Sequence, residues 1–216
     1  MEDTQFNKTI AIVGAGGFGR EIESWFVNSN LSKEYNLVGY LDDNSSGLDS
    51  VKSDFKIIGD ISIETLQKHK NVIVAISNVK VKETIFNLHK QMGGFNILSF
   101  YHSSVTIAKF VNAELGFIAT PNTVISCNTN IGKGVFVNSG SQIGHDVSIG
   151  DYTSIMANVD IGGNAIIGNN VFIGTGAIIL PGVKVAANIR IGAGTVVLRN
   201  LKKEGTYFGN PAKKIF

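Results

Sequence analysis

The 216-residue chain has one cysteine, three prolines and one tryptophan. A lone Cys127 excludes an intramolecular disulfide, and no CxxC pair or Cys/His cluster points to zinc. No run of 18 or more apolar residues is present, so no segment reads as membrane-spanning. The start, MEDTQFNKTIAIVGAGG, lacks a basic stretch followed by a long apolar run, which argues against a signal peptide. A formal charge of +2 without a basic run gives no electrostatic footprint for nucleic acid or a membrane surface. With these classes set aside, the expectation is a cytoplasmic, soluble protein. Its 44% hydrophobic content is enough for a real core.

Two regions with different patterning remain, meeting near Tyr101–Val105, which divides the chain into domains 1–103 and 104–216. The first alternates strands and helices. KTIAIVG (8–14) is a β-branched run ending in glycine, and residues 16–30 place Ile22, Trp25 and Phe26 at helical spacing. Further strands are predicted at 35–44, 71–77 and 96–101, with helices at 62–69, N-capped by Ser62, and 80–92. Four strands separated by helices predict a small parallel, Rossmann-like α/β sheet.

The second region keeps a six-residue beat. Ile107, Ala113, Ala119, Ile125, Ile131, Val137, Ile143 and Ile149 are in phase, and the series continues through Ile155, Ile161, Ile167, Ile173, Ile179, Val185, Ile191 and Val197. Small or β-branched residues follow four places later, as at Val147, Thr153 and Val159, and glycine often comes directly after the aliphatic residue. This is the pattern of a hexapeptide parallel β-helix. Three hexads close one triangular coil, so about five coils are expected. The short, regular coils favour the left-handed form.

Two places stand out chemically. GAGGFG (14–19) follows a strand and opens a helix, where backbone N–H groups can approach a pyrophosphate. Asp42–Asp43 end the next strand, where a carboxylate can bind ribose hydroxyls or a base edge. Taken alone these features allow NAD, a nucleotide of another kind, or merely a tight turn. In the β-helix, His145 and Asp146 fall third and fourth in the hexad that begins at Ile143, facing outward near a corner. An imidazole is suited to taking a proton near neutral pH, and an adjacent carboxylate can orient it. His102 is a second candidate; His69 and His89 fall in predicted helices and are expected to face solvent.

The motifs IVGAGGFGRE, GYLDDN and VAIS-N, the hexads with GHD, and the ending VVLRNLKKEGTYFGNPAKKIF together resemble the hexapeptide acyltransferases. The similar subgroup comprises the PglD-type sugar N-acetyltransferases and the NeuD-like sialic-acid O-acetyltransferases, and the resemblance covers essentially the whole chain. It implies an acetyl-CoA-dependent sugar acetyltransferase without a metal, working as a homotrimer with active sites between subunits. The implied acceptor is a nucleotide-linked amino sugar, of the 4-amino-deoxy kind, used in surface glycan or glycoprotein synthesis. On matching positions the nucleotide sugar is held by Gly16, Gly17, Phe18, Asp42, Asp43, Ser77 and Asn78. His145 is then the base and Asp146 its partner, in direct attack on the thioester. Acetyl-CoA is met by Ser154, Gly163, Thr175 and Ala193, with Lys202, Lys203, Lys213 and Lys214 within the range of its phosphates or forming a solvated tail. Two positions depart from the family, which often carries histidine where this chain has Phe18 and Ser154. O-acetylation of a sugar and a non-catalytic β-helix scaffold remain as alternative readings.

Overall fold

A computed structural model describes residues 8–216 and divides the chain into two compact units, one running to His102 and the other spanning Ser103–Phe216. The readings made of the first seven residues, the absent signal peptide among them, lie outside the described residues.

In the first unit, β1 (Lys8–Val13), β2 (Tyr35–Leu41), β3 (Ile57–Gly59), β4 (Asn71–Val74) and β5 (Asn96–Ile97) form one parallel sheet of order β3-β2-β1-β4-β5. It is joined by α1 (Gly17–Trp25), α2 (Ile63–His69) and α3 (Val79–Met92). Ile10, Ala11, Ile12 and Val13 are all fully buried in succession, the mark of a strand covered on both faces. The sequence pattern predicts four strands and the structure has five; β3 is only three residues long and carries too little periodicity to read. The predicted first helix is also shorter, because a 3-10 turn at Phe26–Asn28 ends it. Ser62 caps α2 as expected, accepting from the Thr65 N–H.

The second unit is a left-handed parallel β-helix of two-residue strands stacked with a shift of 18 residues, as in Gln142↔Asp160 and Ile143↔Ile161. One sheet contains the six strands from Thr106–Ile107 to Val196–Val197, and a second the five from Asn112–Ala113 to Lys184–Val185. The third runs from Ile118–Ala119 to Ile189–Ile191 and is extended by Gly205–Phe208 and the antiparallel Lys213–Lys214. Every in-phase aliphatic from Ala119 to Val197 is buried; Ile107, on the first coil, has no coil beneath it and is 42% exposed. Threonines in the core satisfy their hydroxyls on backbone carbonyls, as Thr153 Oγ1 does on Gly168 O at 2.9 Å.

A second six-residue beat, not read from the sequence, shapes the corners. Each sixth residue from Phe110 to Gly194 has a positive φ near 60–70°, and most of these residues are asparagine or glycine. Those residues tolerate the left-handed region best. The glycine after each aliphatic has a separate cause: a Cβ on Gly144 would lie 2.5 Å from the Gly163 backbone nitrogen of the next coil.

Candidate functional site

In the first unit the strand order reverses between β1 and β4, and ligands of such sheets sit outside the carboxyl ends there. A pocket of about 320 Å³ lies at this place, lined by Gly16, Gly17, Phe18, Asp42, Asp43 and Ser77. Ile61, Ile76 and Val81 supply an apolar wall that the motif reading missed, because they come from the β3–α2 connection, the β4–α3 connection and the first turn of α3. The carboxylates also hold the pocket together. Asp42 accepts from the Ala15 N–H at 2.7 Å and from the Asn44 N–H at 2.8 Å, and Asp43 accepts from the Ile61 N–H at 2.9 Å. Gly19 is obligatory, since a Cβ there would lie 1.8 Å from Gly14 O. The start of α1 has no side-chain cap, and its first residues, Gly17 and Phe18, line the pocket. Asn78 is not among the lining residues: its side chain accepts from the Lys80 and Val81 N–H groups and caps α3.

A larger cavity of about 410 Å³ lies elsewhere in this unit, beside Glu23, Phe26, Tyr35 and Phe55. Glu23, one of the two carboxylates on its lining, accepts from Tyr40, Ser53 and the Asp54 N–H. Burial and the bond to Glu23 push the Tyr40 phenol well above its ordinary range. His89 does not face solvent as expected: its Nδ1 lies 2.8 Å from Phe95 O and its ring packs edge-on to Phe95. His102 forms a backbone bridge with Ser29.

In the β-helix, His145 and Asp146 form one corner between the strands Gln142–Ile143 and Ser148–Ile149. His145 Nδ1 lies 2.7 Å from Asp146 Oδ2, and both side chains are about half exposed. With Nδ1 engaged, Nε2 is the nitrogen left for a reacting group. The other carboxylate oxygen, Oδ1, accepts from Asn128 Nδ2 at 3.1 Å. The bond from His145, then that from Asn128, hold the Asp146 carboxyl below its ordinary value. The backbone is stitched on both sides, by Asp146 N–H to Cys127 O at 3.0 Å and Asn164 N–H to His145 O at 2.8 Å. The imidazole rests on the next coil at Gly163, where an added Cβ would lie 2.6 Å from Nε2.

That corner also leaves donors open. On a neighbouring corner the N–H two places after the aliphatic is capped by a side chain 18 residues on, at Lys133 N–H by Asp151 Oδ1 and at Asp151 N–H by Asn169 Oδ1. Along the His145 column the residues 18 on are Gly163 and then Pro181, which carry no acceptor side chain. Among the described residues the Gly163 N–H donates to no backbone carbonyl.

The expected cofactor residues do not all share this corner. Gly163 does, lying between the strands Asp160–Ile161 and Ile166–Ile167. Thr175 and Ala193 are exposed on a different corner, and Ser154 is on the sheet face opposite His145, buried at 8% exposure between Phe136 and Phe172. Lys202, Lys203, Lys213 and Lys214 are all exposed. Among the described residues no helix is long and apolar enough to cross a membrane.

Comparison with known proteins agrees with both units. Residues 9–88 match the PglD N-terminal domain family, and residues 128–163 and 164–199 each match the bacterial transferase hexapeptide repeats. The acetyltransferase domain of PglB from Neisseria gonorrhoeae, solved with acetyl coenzyme A, is similar with a TM-score of 0.87 and 26% identity, over 97% of this chain and 100% of that one. WeeI from Acinetobacter baumannii is also 26% identical, with a TM-score of 0.83 over 97% of this chain and 100% of its own. PerB from Caulobacter crescentus, solved with CoA and GDP-perosamine, shares the fold at 24% identity, with a TM-score of 0.85 over 97% and 98% of the two chains. A PglD-type domain followed by transferase hexads, matched from end to end by acetyltransferase structures, makes this chain a member of the PglD-like hexapeptide-repeat acyltransferases.

Proposed function

We propose that the protein is an acetyl-CoA-dependent N-acetyltransferase acting on a nucleotide-linked amino sugar, of the 4-amino-deoxy kind. The observation that carries this reading is the corner at His145: an imidazole with Nδ1 fixed by a carboxylate, Nε2 open, and an uncapped backbone N–H on the adjacent coil. In this mechanism His145 Nε2 takes the proton from the attacking amine as it adds to the thioester carbonyl. Asp146 stabilises the imidazolium that forms, and the Gly163 N–H donates to the oxyanion. Collapse of the tetrahedral intermediate expels the CoA thiolate, to which the imidazolium returns its proton. The acetyl-CoA bound by the gonococcal PglB domain supports the donor.

The pocket of the first unit supports the acceptor. Its uncapped helix start suits a diphosphate, and its apolar wall beside two acidic residues suits a base edge and ribose. Phe18 presents a ring where much of the family presents a histidine, so it gives this pocket packing in place of a hydrogen bond.

The working form in this reading is a homotrimer. His145 and Gly163 stand on one corner, whereas Ser154, Thr175 and Ala193 stand on the opposite face and its edge. One chain cannot bring both sets to one cofactor; a second copy can.

The test is thiol release from acetyl-CoA with UDP-, dTDP- and GDP-linked 4-amino sugars, comparing the native chain with His145→Ala. The expected result is turnover with at least one nucleotide and a loss of about a thousandfold in kcat in the variant. Wild-type turnover by His145→Ala overturns the general-base role, and absence of binding to any nucleotide diphosphate by calorimetry favours an O-acetyltransferase of free sugars. Sedimentation at assay concentration checks the trimer.

A further inference from the structure

We propose that Asn128 is a positioning residue for the His145–Asp146 pair, so that the proton-transfer unit is a three-residue chain spread over two coils. The inference rests on the general-base reading of His145 for its kinetic consequence. It starts from how the carboxylate of Asp146 is shared. Oδ2 holds the imidazole at 2.7 Å, and Oδ1 is held from the preceding coil by the Asn128 amide at 3.1 Å. A carboxylate tied only to the imidazole could rotate about its own bond at this half-exposed corner. The amide donor removes that freedom and fixes the plane in which Nδ1 is gripped.

The backbone explains why asparagine can do this. Asn128 and Asp146 both occupy the left-handed corner position, with φ of 58° each, and stack 18 residues apart. Asparagine tolerates that conformation and still carries a donor that reaches along the column. The same kind of contact occurs at another corner, where Asn170 Nδ2 donates to Asn188 Oδ1 at 3.3 Å. No histidine stands beside that rung, so it provides an internal control for a contact that merely braces the coil.

Three variants separate bracing from positioning: Asn128→Asp, Asn128→Gly and Asn170→Gly. All three replacements suit a positive φ, so the fold is retained. The readout is the pH titration of His145 by its Cε1–H NMR signal in the full chain without substrate, with the pH profile of kcat beside it. In Asn128→Asp a second carboxylate favours the imidazolium, and the His145 midpoint rises by about one pH unit. The acid limb of kcat moves to higher pH with it, because the base is then protonated over more of the range. In Asn128→Gly kcat falls about tenfold with the KM for acetyl-CoA unchanged. Asn170→Gly moves neither the midpoint nor the acid limb.

A midpoint in Asn128→Asp equal to that of the native chain overturns the proposal, and so does a shift of equal size in Asn170→Gly. A midpoint that moves while the acid limb of kcat stays in place supports the hold of Asn128 on the pair and overturns the general-base reading instead.

Discussion

The two units bury their cores by opposite means. In β1 four successive residues, Ile10 to Val13, are hidden, because the parallel sheet is covered on both faces. In the β-helix, above the first coil, two of the three sheets hide one residue of each short strand and turn the other outward, as in Gln142–Ile143 and Ser148–Ile149, whereas on the third sheet both residues of strands such as Phe136–Val137 and Ser154–Ile155 are hidden. Polar chemistry in the first unit is therefore confined to the ends of the strands, where the glycine loop, Asp42 and Ser77 gather. In the second unit it can be placed at any corner along a rail, at no cost to the core. His145 and Asp146 use one such corner, and the aliphatic columns beneath them, Ile143 and Ile149, continue without interruption.

If the units are built this separately, damage to one core should leave the other intact. Ile155→Ala removes a fully buried side chain from the middle of a stacked column, and Ile12→Ala removes one from β1. Each is expected to cost about 3–4 kcal/mol, through lost transfer energy and a cavity that neighbours cannot fill. By calorimetry of the full chain, Ile155→Ala should lower the transition of the β-helix and leave in place the nucleotide binding proposed for the first unit. Ile12→Ala should do the reverse. One shared transition, lowered equally by both, would break the comparison.

A smaller effect tests the independence of function from framework within the β-helix itself. A Cβ on Gly144 meets the backbone nitrogen of Gly163 at 2.5 Å, whereas a Cβ on Gly163 meets the His145 imidazole at 2.6 Å. Backbone cannot yield without opening the coil, but an exposed imidazole can swing away. Gly163→Ala should therefore lower kcat about ten- to a hundredfold, or roughly 1–3 kcal/mol in the barrier, with little change in melting temperature. Gly144→Ala should lower the melting temperature first. Two glycines 19 residues apart would then report on chemistry and on fold separately.

What could be read in advance follows the same division. The β-helix announces itself because its contacts recur at a fixed spacing, so Ile143 and Val147 are legible as core and His145 as outward from local sequence alone. The spacing of six does not say which corner or face a residue occupies; that depends on closure at 18. For this reason the spacing alone does not show that Ser154 stands on the face opposite His145, or that Asn128 shares a column with Asp146. In the first unit the glycine loop was legible from its strand and helix context, but β3 was too short to show a period. The family resemblance puts Asn78 in the pocket beside Ser77, whereas its side chain caps α3. Lys82 was invisible for another reason: helical patterning predicts solvent for a lysine. Here burial hides it at 2% exposure and pushes its ammonium down to about 8.

The smallest expected effect concerns the phenyl ring at an exposed left-handed corner position. Phe110 has a φ of 63° and is 80% exposed, so it carries left-handed strain without gaining burial. At the equivalent place on the following coils the chain has Asn128, Asp146, Asn164 and Gly182, all residues that accept this conformation more readily. Phe110→Gly should relieve about 1 kcal/mol of backbone strain, offset in part by the greater freedom glycine has when unfolded. The net expectation is a rise of a few degrees in the melting transition of the β-helix, with kcat unchanged because Phe110 lies two coils from Asp146. A fall in melting temperature, especially one that deepens on dilution, would mean that the ring is covered in the assembled protein. The corner would then be serving contact between copies, and the rail would carry assembly as well as catalysis.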